Sequence, residues 1–197
     1  MKQTVFFGVF SIWGDGKTFM QETVELIALI KAGKSDAFAK LVDKYKNLVA
    51  STAYGILRNG HDAEDATQEV FLKTYKALNN YKETNSFVNW LLRITANHCL
   101  NIVRARKNLR LVNMDNVPEL VSATIKDQTA GFDAELDNAL TLIEPVERAV
   151  IVLFHRNEKK YSEIAEILGI PEGTVKTHLH RGRQKLRQLM ADKCVRS

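Results

Sequence analysis

YSEIAEILGIPEGTVKTHLHRGRQKLRQLM, residues 161–190, decides how this chain is read. Ile164, Ala165, Ile167 and Leu168 form the apolar stripe of a short helix, which Ser162 can cap. Gly169 stops that helix by taking a left-handed conformation that a side chain would disfavour. Pro171, whose ring presets a helical φ, opens a second and longer helix. At about 100° per residue, Val175, Leu179, Gly182, Leu186 and Leu189 share one face of it, and Gly173, Thr177, His180, Arg181 and Gln184 fall opposite.

That opposite face is polar and cationic, flanked by Lys176, Arg183 and Arg187. From Lys176 to Arg196 seven Lys or Arg stand against one acid, Asp192, with His178 and His180 added. A helix anchored on one side and studded with cations and base-reading groups on the other fits a major groove. Basic faces also occur on ordinary packing helices, but seldom after a helix, a glycine turn and a proline-started helix. Gly173 in the first turn suggests close backbone approach, because Gly inside a helix costs about 1 kcal/mol relative to Ala.

EIAEILGIPEGTVKTHLHRGRQKLR resembles the promoter-recognition helix-turn-helix of the sigma-70 superfamily, its fourth conserved region, in the extracytoplasmic-function (ECF) group. The same run resembles the helix-turn-helix of LuxR-type response regulators, since EIA, TVK and THL occur in both. The hairpin alone leaves the two readings open.

The rest of the chain sets bounds. Its 197 residues hold one large or two small domains, and 45% apolar with 26% charged residues is a soluble, globular composition. A net charge of +5 and a pI of about 9.2 favour a polyanionic partner. Cys99 and Cys194 lack CxxC spacing or His companions, which argues against a disulfide scaffold or zinc site and suits a reducing cytoplasm. No run is long enough to span a membrane. The apolar VFFGVFSIW near the start lacks the cleavage site of a secretory signal.

Residues 1–21 read as an atypical N-terminal extension ending in GDGKT. A phosphate-binding loop of form GxxxxGKT would need glycine where Ser11 stands, and no strand-helix alternation follows. No cofactor is expected. From Glu22 the pattern is helical: a first helix to Gly33, then a second from Asp36 to about Arg58, broken by Asn59-Gly60. Asp62 can cap the third, HDAEDATQEVFLKTYKAL, which leaves Asp62, Asp65, Gln68, Glu69 and Leu72 largely outside. That acidic patch equally fits plain capping with solvated charge. After NNYKETNS, Ser86 can cap a fourth helix that carries Phe87 and Trp90 and gathers Asn85, Asn89, Arg93, Asn97, Asn101, Arg104, Arg106 and Lys107. Cations, amides and aromatics together suit single-stranded nucleic acid, and buried rings with amides as surface filler is the equal alternative.

DAEDATQEVFLKTYKAL followed by SFVNWLLRITANHCLNIVRARK is similar to the second conserved region of ECF sigma factors. The resemblance implies an all-α protein of two small helical domains joined by a flexible linker, the C-terminal one a helix-turn-helix. It assigns region 2 to residues 22–111, an acidic linker to 112–133 and region 4 to 134–197. It implies a non-enzymatic cytoplasmic factor that binds bacterial core RNA polymerase and promoter DNA, with an anti-sigma factor as a further partner. Asp62, Asp65, Gln68, Glu69 and Leu72 would dock on polymerase. Asn85, Ser86, Phe87, Asn89, Trp90, Arg93, Asn97, Asn101 and Arg104 would hold the melted minus-ten strand. Gly173, Thr174, Lys176, Thr177, His178, His180, Arg181 and Gln184 would face the minus-thirty-five element, and Arg183 and Arg187 its phosphates. Members often carry TVKSR where this chain has TVKTH, so His178 and His180 set base preference apart. A LuxR-type regulator would need βα repeats before residue 110, where only helices are expected.

Overall fold

The spacing of Leu41, Tyr45, Val49, Ala53 and Ile56 puts one residue per turn on a single face, and helix α2 (Ser35–Leu57) buries all five at 1% exposure or less. The computed structural model describes residues 16–82, 86–112 and 132–194, and every regular element among them is helical. Helix α1 (Gly16–Lys31) starts six residues before the expected Glu22, so Gly16-Lys17-Thr18 of the would-be phosphate loop form its first turn. The apolar start, Ser11 and Asn85 lie outside the described residues, as does most of the expected linker.

Helix α2 ends at Leu57, within a residue of the expected end. Arg58 caps it in the left-handed conformation, at φ 56°. The cap of helix α3 (Gly60–Ala77) is Asn59, whose Oδ1 accepts from the Asp62 N–H at 3.0 Å. The Asp62 carboxylate turns away to Arg106 instead, at 2.5 and 2.6 Å. Helix α4 (Phe87–Val112) then crosses α2 and α3.

The C-terminal half comprises α5 (Phe132–Thr141), α6 (Pro145–Ile151), α7 (Tyr161–Leu168) and α8 (Glu172–Cys194). Pro145 sits in the first turn of α6, and Gly169 closes α7 at φ 66°, both as their chemistry dictates. Ser162 is not the cap of α7. The chain is still extended at Lys160, so the helix begins before Ser162, and the Glu163 carboxylate accepts the Lys160 N–H at 2.9 Å. Beyond α6 a π turn (Val152–Arg156) inserts an extra residue before α7.

Among the described residues two apolar clusters hold the chain. One lies within the first half, where Ile27, Tyr45, Val70, Phe71, Tyr81, Phe87 and Leu91 meet. The other is shared between the halves: Leu92, Ala96, Cys99 and Leu100 of α4 and Ala53 and Ile56 of α2 pack with Val150, Leu153, Ile164, Ile167, Val175 and Leu179. Burial pushes the Cys99 thiol up to about 12, so it stays protonated inside this core. Gly55 allows the approach of α2 to the π turn, since a Cβ there would lie 2.8 Å from a Val152 methyl. The two helical halves on either side of the linker therefore pack against one another in this structure. Apolar residues on the far side of α4 need cover, and the second half supplies it.

Candidate nucleic-acid and polymerase interfaces

Helix α8 is fixed from one side only. Val175 is fully buried and Leu179 nearly so, and Gly182 lets the helix lie against α6, where a Cβ would come within 2.7 Å of Ile151 Cδ1. Gly173, Lys176, Thr177, His180, Arg181, Gln184 and Arg187 remain exposed on the other side, as their spacing predicts. Among the described residues, outside its own helical turn, no atom comes within 4 Å of a Cβ built at Gly173, so no packing there requires glycine. Thr177 donates its hydroxyl to the Gly173 carbonyl at 2.9 Å. Thr174 and His178 are half-buried, and His178 Nδ1 is buried with no partner among the described residues. His178 thus leans towards the packed side and does not share the open face with His180.

Beneath this face lies an aromatic cradle that helical spacing alone does not reveal. Phe154, at the π turn, stacks on Tyr161 of α7 with centroids 5.3 Å apart and planes at 20°. The Lys176 ammonium lies 5.6 Å from the Tyr161 centroid and also pairs with Glu172 at 3.0 Å. The Arg183 guanidinium lies 5.0 Å from the Phe154 centroid and sends Nε and Nη2 to His155 Nε2 at 3.2 and 2.9 Å. Burial, then the Arg183 charge, lowers the His155 pKa below its ordinary value, which favours the neutral ring as acceptor. The run HRNEKK before the hairpin was the only trace of this in the sequence.

Helix α4 divides the expected minus-ten residues. Arg93, Asn97, Asn101 and Arg104 lie exposed at near-helical spacing, and Ser86 precedes the helix, also exposed. Trp90 is half-buried against Tyr81 and Phe87. Phe87 is only 7% exposed, its ring held among Tyr45, Tyr81 and Trp90, so it is a core residue and offers no face to a base. Asn89 is turned inward and donates to Glu163 of α7 at 3.0 Å. Burial alone would raise the Glu163 carboxyl, but the Lys160 N–H, Asn89 and Lys159 outweigh it and hold the pKa below the usual range.

Other polar contacts join the halves beside that one. Asp137 of α5 pairs with Arg58, whose side chain is 6% exposed, and accepts the Tyr54 hydroxyl at 3.1 Å. Asn157, at the end of the π turn, donates to Thr52 Oγ1 at 3.1 Å. On the outer side of α3, Asp65, Gln68, Glu69 and Leu72 stand exposed, joined by Tyr75. Asp62 is set apart from them by its pairing with Arg106, whose hydrogen bond holds its carboxyl below the usual range.

The described residues contain no helix long and apolar enough to cross a membrane. The family model of Sigma-70 region 2 matches residues 41–109, and that of Sigma-70 region 4 matches residues 133–186. The ECF RNA polymerase sigma factor SigW of Bacillus subtilis is 34% identical over 178 residues, covering 84% of this chain and 95% of that protein. SigE of Mycolicibacterium smegmatis, also an ECF RNA polymerase sigma factor, is 36% identical over 157 residues, or 77% of this chain and 61% of that one. In fold, the chain matches the sigma factor RpoE, solved in complex with the anti-sigma factor NepR from Bartonella quintana, at a TM-score of 0.65 and 20% identity, over 78% of this chain and 96% of that one. A region 2 match where a receiver domain would have to lie removes the LuxR-type reading. The chain belongs to the ECF group of sigma-70 family RNA polymerase sigma factors, proteins of transcription initiation.

Proposed function

We propose that this chain, working in the cytoplasm and making or breaking no covalent bond itself, lends promoter specificity to core RNA polymerase through three of its helices. The observation that carries this is the exposed cationic face of α8, buttressed from behind by Val175, Leu179 and Gly182. On it Lys176, His180 and Arg181 read base edges of the minus-thirty-five element, and Arg183 and Arg187 hold phosphates. Arg93, Asn97, Asn101 and Arg104 of α4 track the minus-ten strand, with Trp90 as the ring beside them. The outer face of α3, with Asp65, Gln68, Glu69 and Leu72, docks on polymerase.

The working form must be open. The two promoter elements lie about 25 base pairs apart, which at about 3.4 Å each is roughly 85 Å. A compact chain of this length has a radius of gyration of only about 16 Å. With the shared core intact α4 and α8 cannot reach both elements. An anti-sigma partner, like that in the RpoE complex, would act by blocking this opening or the α3 face. Reconstitution with bacterial core polymerase tests the reading. Specific initiation from a promoter that core alone ignores supports it; a purified chain that neither binds core nor starts transcription refutes it.

A further inference from the structure

Arg183 does not rest on α8 alone. Two of its five N–H groups point at one acceptor, His155 Nε2, and its plane lies over the Phe154 ring. Both partners sit at the π turn, where the Asn157 N–H reaches back five residues to the Val152 carbonyl at 3.1 Å. Insertions of this kind recur at functional sites, because the extra residue turns the following side chains to a new direction. Here Val152 and Leu153 stay in the core, and Phe154 and His155 emerge beneath α8.

The geometry points to His155 as a positioning residue for DNA binding: it orients the Arg183 guanidinium so that its remaining N–H groups face a backbone phosphate. Phe154 and Tyr161 form the shelf on which this happens. Lys176 and Arg183 are seven residues apart, two turns along one side of α8, and their cations lie over the two stacked rings. A long side chain loses rotamer freedom when it grips a phosphate, and a preset fork loses less per bond formed. Among the described residues the charge acting on His155 is that of Arg183, with no carboxylate recorded beside the ring. The ring therefore serves as neutral acceptor to a cation.

This rests on the reading of α8 as a duplex-binding helix, and the test separates the two. A fluorescent duplex of random sequence, about 30 base pairs long, is titrated with the full chain across a salt series. Each phosphate contact contributes about 0.9 to the slope of log K against log salt. The His155→Ala variant is expected to lose about one unit of slope and to bind about three- to tenfold more weakly at low salt. His155→Gln, which keeps an acceptor, retains most of both, and urea midpoints confirm that each variant is folded. Arg183→Ala loses the same slope, and adding His155→Ala to it costs nothing more, because the two act as a unit. An unchanged slope in His155→Ala, or full additivity in the double variant, overturns the inference while leaving DNA binding intact. Absence of any salt-dependent binding by the unmodified chain overturns the duplex reading and the inference with it.

Discussion

Asn89 of α4 and Glu163 of α7 meet across the two halves of the chain, amide Nδ2 to carboxylate Oε1 at 3.0 Å. The contact draws a residue of the candidate minus-ten helix into the protein, and Asn89 Oδ1 is buried there with no partner among the described residues.

Asn89→Ala removes one charge-assisted hydrogen bond, worth about 1 kcal/mol at this partly exposed site. The balance should move towards the open form. Energy transfer between dyes on α1 and α8 should fall; an efficiency equal to that of the unmodified chain would mean that the apolar core alone decides closure.

Gly55 and Gly173 predict opposite outcomes for one substitution. At Gly55 an added methyl group would sit 2.8 and 3.0 Å from both methyls of Val152, a stiff side chain, whereas at Gly173 it meets nothing within 4 Å. Gly55→Ala should cost about 1 to 3 kcal/mol in crowding, more than the roughly 1 kcal/mol gained in helix propensity. Gly173→Ala should raise stability by up to about 1 kcal/mol and weaken promoter binding if DNA lies close to that backbone. Thermal midpoints and duplex titrations check both.

Asp62 and Arg106 give a pH dependence of known sign. The Asp62 carboxyl titrates below its ordinary 3.8 in the folded chain, chiefly through the Arg106 hydrogen bond. Its stabilisation is complete above the unfolded value and fades as pH falls through the folded one. Arg106 is half exposed, so the pair contributes at most about 1 kcal/mol. Arg106→Ala should lower the urea midpoint at pH 7, and the gap from the unmodified chain should narrow below about pH 3.8. A gap that persists undiminished in acid would show that Arg106 acts through packing instead.

Arg181 and Arg187 are both exposed on α8 but are assigned different tasks. Arg181→Ala should weaken binding to specific promoters by about 1 to 3 kcal/mol and random DNA less. Arg187→Ala should weaken both alike and reduce the salt dependence. Equal losses on specific and random duplexes for both variants would remove the division between base reader and phosphate holder.

Local pattern settled much of this protein before any coordinates. The period of Leu41, Tyr45, Val49 and Ile56 makes α2, and that of Val175, Leu179 and Gly182 divides α8 into a packed and an open side, because helix geometry maps spacing directly onto faces. Gly169 places the end of α7 for the same local reason. Asp62 and Ser162 have the chemistry of caps but do not cap α3 and α7, since a carboxylate or hydroxyl near a helix start can be claimed by a distant partner or overrun by an earlier first turn. Phe87 reads identically in sequence whether it stacks on a base or fills a core. Only the ring packing of Tyr45, Tyr81 and Trp90 decided that. The sharing of one core by both halves, the Asn89 and Glu163 pairing and the seating of Arg183 on Phe154 and His155 likewise belong to tertiary structure alone. The last two join residues 74 and 28 positions apart and the shared core joins residues farther apart still, and no helical or turn periodicity carries information over such distances.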